Sequence, residues 1–242
     1  MKQIRNKFGV LYYNYNVNEF PFYKIISDFF KIKDLKQIHT LRDYEHKEEL
    51  FTNNNDCETI FHQKFYKKIN SGWPEFEELY IKFIKDHICS IFKENEIIYQ
   101  SKPTFRIQFP NNIAVGGSPK DTPEMYGWHK DTDDEYNHPN FEKNFIVPLT
   151  DAKDTSSVFI ETAPNSNKFH SADMKLGEFF QFRGGECIHG NKPNKTGLSR
   201  VSFDFRIVLK KDYSSDHSRI SKLSGKKFTI GNYYDIINTN EF

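Results

Sequence analysis

The run Arg200-Val201-Ser202-Phe203-Asp204-Phe205-Arg206-Ile207 alternates polar and apolar residues without a break. In an extended chain successive side chains point to opposite sides, so Arg200, Ser202, Asp204 and Arg206 share one face and Val201, Phe203, Phe205 and Ile207 the other. A helix would scatter both sets around its circumference, so this part of the chain must build a sheet. Upstream, further strands are expected at Phe105–Phe109, Tyr126–Asp131, Asn144–Leu149, Ser156–Thr162, Phe179–Phe182 and Cys187–His189, with the alternating strand itself running from Arg200 to Leu209. Pro110-Asn111-Asn112, a loop through Gly116-Gly117-Ser118-Pro119, and the tight turn Gly184-Gly185 separate them. Many short strands at this density predict a sandwich or barrel.

The first hundred residues follow a different period. From Trp73 to Glu94, apolar residues recur at Phe76, Leu79, Tyr80, Phe83, Ile84, Ile88 and Ile91, in steps of three and four that predict one face of a helix. Ile81 falls off that face, and Pro74 suits a first helical turn. A second helix is expected over Asp28–Ile38. The 242 residues thus read as one domain, 1–242. Residues 1–100 form its helix-rich portion, 101–210 its strand-rich core and 211–242 a polar tail, with a surface turn at Gly225-Lys226-Lys227. The formal net charge of +1 argues against a dedicated nucleic-acid binder. Three cysteines, at 57, 89 and 187, disfavour a disulfide framework. No window is apolar enough to span a bilayer, and no long apolar stretch follows Met1 as in a signal peptide, so a cytoplasmic location is expected. Aromatic residues make up 16%, which excludes a disordered chain.

The chemistry concentrates in the core. In Trp128-His129-Lys130-Asp131, an extended backbone lets His129 and Asp131 face one ion. His189, at the end of a predicted strand, can supply a third ligand. Two imidazoles and one carboxylate on one side of a metal leave the other side open, the donor set of non-haem iron oxygenases. His138 and His170 lie between the triad members in sequence and are read as non-ligands, and Cys187 as a small buried hydrophobe. The polar face of the Arg200 strand has two readings. On an isolated strand it faces water; inside a small barrel it lines a pocket, where an arginine grips a carboxylate with a hydroxyl as second donor. Three other functions compete: an oxygenase acting on nucleic acid, which the near-neutral charge disfavours; a non-catalytic, cupin-like metal or ligand binder; and a glycosyltransferase using Asp131-Thr132-Asp133 to hold a metal-nucleotide. The glycosyltransferase demands a parallel α/β sheet.

The ordered set His129-x-Asp131, His189 and Arg200-x-Ser202 resembles the Fe(II)/2-oxoglutarate-dependent dioxygenases. The stretch from His189-Gly190-Asn191 through Asn194-Lys195-Thr196-Gly197-Leu198-Ser199 to Arg206 is most similar to a bacterial branch that includes phytanoyl-CoA-type and streptomycin-biosynthesis-type oxygenases. The likeness covers residues 101–210. It implies a mainly β fold with α elements: a double-stranded β-helix (jelly-roll, cupin-like) with flanking, mostly N-terminal helices. It implies Fe(II) on His129, Asp131 and His189, with 2-oxoglutarate and O2 as cosubstrates. The distal carboxylate of 2-oxoglutarate would pair with Arg200 and Ser202, and Asn144 is placed as a further cosubstrate contact. Related halogenases lack the carboxylate ligand, so Asp131 points to hydroxylation as the leading outcome, with desaturation or ring closure as alternatives. Arg106, Gln108, Trp128 and Arg206 are candidate substrate contacts, and the two guanidinium groups among them suit a small polar or anionic substrate such as an amino acid or sugar derivative. The N-terminal segment and the 110–125 loop are expected to select it. The expected partner is a small molecule, with no nucleic acid and no membrane.

Overall fold

The alternating strand lies inside the larger of two antiparallel sheets, and both of its faces are buried. The computed structural model describes residues 2–41, 59–114, 125–216, 219–221 and 224–239. The strands are β1 (Gln3–Lys7), β2 (Val10–Asn14), β3 (Glu96–Gln100), β4 (Thr104–Gln108), β5 (Tyr126–His129) and β6 (Lys143–Pro148), then β7 (Val158–Glu161), β8 (Phe169–Ala172), β9 (Glu178–Phe182), β10 (His189–Asn191), β11 (Arg200–Leu209) and β12 (Tyr234–Asn238). Eight of them form one sheet in the order β1-β2-β9-β6-β11-β3-β12, with β4 also paired to β11; the other four form a second sheet, β5-β10-β7-β8. Every ladder between these strands is antiparallel. The parallel α/β sheet required by the glycosyltransferase reading is therefore absent from the described residues, and that reading falls.

β11 is the spine of the larger sheet. It pairs β6 along one edge, and β4 then β3 along the other. Its apolar face, Val201, Phe203, Phe205 and Ile207, belongs to a core that the helices cover. These are α1 (Phe22–Phe30), α2 (Ile60–Asn70), α3 (Pro74–Phe83) and, after a π-helical stretch Ile84–Cys89, the short α4 (Ser90–Phe92). The periodicity over Trp73–Glu94 thus marks a near-continuous helical segment, with Trp73 as N-cap and Pro74 in the first turn. Its register widens over Ile84–Cys89, while Ile81, the residue off the expected face, lies in the regular part of α3 and is half-buried.

The second expected helix differs from the structure. α1 begins before Asp28 and stops at Lys31, whose left-handed φ of 55° ends it; a separate 3-10 turn, Leu35–Thr40, follows. Asp34 caps that turn by accepting from the Lys36 amide, a local bond that competes with a continuing α-helix.

The aromatic content has a place in this layer. Phe22 meets Phe203 edge-on at 5.0 Å, Phe65 stacks on Phe105 at 4.4 Å, and Tyr80 meets Phe205 at 5.5 Å. Each such pair adds about 0.5–1.5 kcal/mol beyond its area burial.

The sheets also recruit strands outside residues 101–210: the hairpin β1–β2, β3, and β12 from the tail. Their patterns are short and their partners distant, so periodicity alone does not reveal them. Val10 and Tyr12 help fill the space between the sheets, together with Ile146, Ile160, Phe180 and Cys187. Cys187 is a buried, free thiol, as expected.

Trp128 shows how tightly the smaller sheet is packed. Its ring lies against Phe159 and Phe169, and its Nε1 donates to the Asn191 carbonyl at 2.8 Å. A Cβ built on Gly190 would fall 2.3 Å from Trp128 Cδ1. Gly190→Ala is expected to lower Tm by roughly 2–12 °C, from an overpacking cost of about 1–3 kcal/mol. An unchanged melting curve would show that the ring can step aside.

Candidate metal centre

β5 and β10 are neighbours, and their register sets His129 directly opposite His189. Side chains opposite one another on adjacent strands share a face within reach of each other, and the two imidazole centroids are 4.6 Å apart. Asp131 lies just beyond β5, where its amide donates to the Gly184 carbonyl at 2.9 Å. The three side chains offer ligand atoms that all lie within 4.8 Å of one another, and all three residues are buried. Among the described residues they form the cluster of metal-ligating groups that meets this geometry.

The tautomers follow from the backbone. His129 Nδ1 is 2.7 Å from the Gly127 carbonyl, and His189 Nδ1 is 3.1 Å from the Cys187 carbonyl. A carbonyl only accepts, so each Nδ1 carries a proton and donates. Burial, with the neighbouring His189, holds His129 below its ordinary pKa, which keeps the ring neutral. Each Nε2 then presents a lone pair, and both lone pairs face Asp131 Oδ1, at 3.4 and 3.5 Å. Three acceptors aimed at one point repel one another unless a cation sits among them. A second hydrogen bond from the far nitrogen is also how metal-bound histidines are oriented.

The other oxygen of Asp131 is already held. Oδ2 accepts from Asn144 Nδ2 in a short hydrogen bond and from Arg206 Nη2 at 3.2 Å. Burial alone would raise the Asp131 pKa; the Arg206 guanidinium beside it outweighs that, so the carboxyl sits well below the usual carboxylate range. Asn144 is itself gripped, since its Oδ1 accepts from the Gly184 amide. A Cβ at Gly184 would come within 2.7 Å of the Asn144 amide, so this turn requires glycine.

A cavity of about 50 Å³ joins this centre to the polar face of β11; His129, His189, Asn144, Arg200, Ser202 and Arg206 help line it. The face therefore points inward, and its charges are mostly paired. Asp204 accepts from Arg106 Nε at 2.9 Å and from Arg206 Nη1 in a short ion pair. Arg200 differs. It is 2% exposed, and its Nε and Nη1 have no hydrogen-bond partner among the described residues. Burial, with Arg106 nearby, pulls its pKa down to about 9. A buried guanidinium with unused donors is costly until an anion meets it. A larger cleft, about 690 Å³, lies between Tyr12, Met174 and a rim that includes Lys36 and Lys153, but it shares no lining residue with this cavity.

The remaining sequence candidates separate. Asn144, Arg106, Ser202 and Arg206 do line the cavity. Gln108 instead donates to the Lys192 carbonyl at 2.7 Å, tying two chain segments together, and Trp128 sits in the packing described above. Asp133, the second carboxylate of the Asp131-Thr132-Asp133 reading, accepts from the Lys130 amide at 2.9 Å and caps a turn. His138 pairs with Glu142, and His170 lies in β8 beside Phe8. The 115–124 part of the expected substrate loop lies outside the described residues. Tyr136, not singled out from the sequence, stacks on His129 with centroids 3.7 Å apart and planes 20° apart. The two carbonyls that set the tautomers carry no residue-type signal at all.

No family model matches the chain. It is 28% identical over 224 residues to the streptomycin biosynthesis protein StrG of Streptomyces griseus, covering 92% of this chain and 96% of that one. Among solved structures, a non-heme monooxygenase, the ThoJ–nickel complex, is 15% identical with a TM-score of 0.41. That match covers 60% of this chain and spans 59% of the other. The non-heme alpha ketoglutarate dependent epimerase SnoN from nogalamycin biosynthesis is 9% identical with a TM-score of 0.45, covering 94% of this chain and 93% of that one.

Proposed function

We propose that this chain is a non-haem Fe(II)- and 2-oxoglutarate-dependent oxygenase. On this reading its two sheets form a double-stranded β-helix, and it hydroxylates an unactivated C–H bond of a small polar molecule such as an amino acid or sugar derivative. One observation carries the reading: a buried cluster of three convergent acceptors and an unpaired buried guanidinium share one cavity. The first needs a cation and the second an anion. A 2-oxo dicarboxylate that chelates the metal at one end and meets Arg200 at the other answers both.

His129, Asp131 and His189 would hold the iron on one side, leaving the other open. Bound Fe(II) with 2-oxoglutarate supplies O2-dependent oxidation of a C–H bond, coupled to loss of CO2 and formation of succinate. The chain's own part is positioning. The Gly127 and Cys187 carbonyls orient the imidazoles. Asn144 and Arg206 occupy the rear oxygen of Asp131, so only Oδ1 is offered. Arg200, with the Ser202 hydroxyl as second donor, would fix the distal carboxylate. Ile146, Val158 and Phe182 supply an apolar wall, where charge-assisted bonds are stronger than in water.

The reading takes the protein as a cytoplasmic enzyme acting on a small molecule. The deciding measurement is succinate release from 2-oxoglutarate by protein supplied with Fe(II) and O2. Release that requires both, and rises with a panel of amino acids or sugar derivatives, is expected. Metal and 2-oxoglutarate binding with no succinate would leave the cupin-like binder as the correct reading.

A further inference from the structure

The C-terminal part of the chain meets the turn that carries Asp131. We propose that Arg219, Tyr234 and Glu142, the carboxylate that Tyr234 bonds, are positioning residues for the metal centre, forming a clasp that holds the turn Asp131–His138 against His129. The proposal rests on the metal reading above.

The turn leaves the metal site and comes straight back. The amides of Tyr136 and Asn137 donate to the Asp133 carbonyl at 2.9 and 2.8 Å, and the His138 amide returns to the Asp131 carbonyl at 3.0 Å. Asn137 takes a left-handed φ of 59° to close it. Asp134 and Glu135 at its tip are exposed. A turn made of short-range bonds with a solvated tip has little stability of its own. Yet it fixes two things at the site: the backbone of Asp131, and Tyr136, whose ring covers His129.

On one side the Asp131 amide and Thr132 Oγ1 tie its start to the Gly184 and Gly185 carbonyls, the latter at 2.7 Å; on the other, its closing end is held from the far end of the sequence. Arg219 Nη1 donates to the His138 carbonyl at 2.6 Å, and Asn137 Nδ2 donates to the Ile220 carbonyl at 3.3 Å. The buried His138 ring lies 4.6 Å from the Phe228 ring and 5.8 Å from that of Tyr233. Its Nδ1 bonds Glu142 Oε2 at 2.7 Å, and the other Glu142 oxygen accepts a short hydrogen bond from Tyr234 OH. Tyr234 opens β12, which is zipped to β3 from Tyr234↔Gln100 to Asn238↔Glu96. A strand of the large sheet therefore reaches, through one hydroxyl and one carboxylate, to the residue that closes the ligand turn.

The test is Co(II) titration of the full-length metal-free protein, read by chelator competition and by the visible bands of the bound ion. Tyr234→Phe removes a single oxygen, and Arg219→Gln removes a charge. Tyr80→Phe is the control, because it deletes a buried hydroxyl bonded to the Gln100 carbonyl at 2.9 Å, against the same strand β3 but away from the turn. Loss of a direct outer partner of a ligand typically costs 10–100-fold in metal affinity; a clasp one step further out is expected to cost about 3–10-fold. Tyr234→Phe and Arg219→Gln should each weaken Co(II) by that factor and alter the visible bands, while Tyr80→Phe melts at least as early and binds Co(II) like the wild type. Wild-type affinity and spectra in both clasp variants would overturn the proposal. So would an equal loss in Tyr80→Phe, which would make the effect one of general stability. If the wild type takes up no Co(II), the metal reading itself fails and the clasp with it. Tyr234→Phe decides alone if Arg219→Gln does not fold.

Discussion

Asp131→Ala is expected to abolish measurable metal binding and all succinate release while the protein stays folded. The carboxylate supplies Oδ1 at the point where both Nε2 lone pairs converge, so two neutral imidazoles remain with no charge to offset the cation. Affinity should fall by roughly 100-fold or more, beyond the typical cost of losing an outer partner. The fold should persist because Arg206, which loses one acceptor, keeps its ion pair with Asp204. Asn144 Nδ2 and Arg206 Nη2 each lose their Asp131 acceptor, at about 1–3 kcal/mol for each unsatisfied buried donor, so Tm should fall clearly without loss of the fold. Metal titration and a melting curve on the same sample separate the two effects. A variant that still binds metal at wild-type affinity would remove Asp131 from the ligand set.

Arg200→Met is expected to do the opposite to the cosubstrate. The methionine keeps an unbranched stem but removes a guanidinium that burial already disfavours, as its lowered pKa of about 9 indicates. The unliganded protein should therefore be as stable as the wild type or more so, since replacing an uncompensated buried charge by an apolar side chain is often neutral or favourable. Binding of 2-oxoglutarate should weaken by about 100-fold, corresponding to roughly 3 kcal/mol for a buried, charge-assisted contact. Metal affinity without 2-oxoglutarate should not change. The paired readouts are Tm with and without 2-oxoglutarate, because a ligand that binds only the folded state raises Tm by mass action. A wild-type protein whose Tm ignores 2-oxoglutarate, with metal present, would sink the assignment of Arg200.

Both predictions use residues that stand out in the sequence, yet the reasons for their effects come from elsewhere. His129 and Asp131 are two apart in sequence, and although β5 ends at His129 and Asp131 opens a turn, the two side chains still meet. His189 joins them because β10 pairs with β5 at that register, a long-range fact. Asn144 and Arg206 are visible as polar residues on strands, but their hold on Asp131 depends on where β6 and β11 run relative to the end of β5. Tyr136 and Tyr234 carry no motif, and their contacts cross a turn and the length of the chain.

What the sequence determined by itself was the two-faced strand Arg200–Leu209, the helical period after Trp73, and the donor types of the candidate centre. These are properties of near neighbours, because side-chain alternation and helical spacing are set by backbone geometry over a few residues. Only the tertiary structure decided which face of that strand turned inward. Helices α1 to α3 cover its apolar side with an aromatic layer, so the charged side is left to line the cavity between the sheets. Within that cavity Asp204 neutralises Arg106 and Arg206, and Arg200 keeps its unused donors. Pairing of buried charges depends on which atoms lie within a few ångströms, and the chain brings those atoms together from residues more than ninety positions apart in sequence.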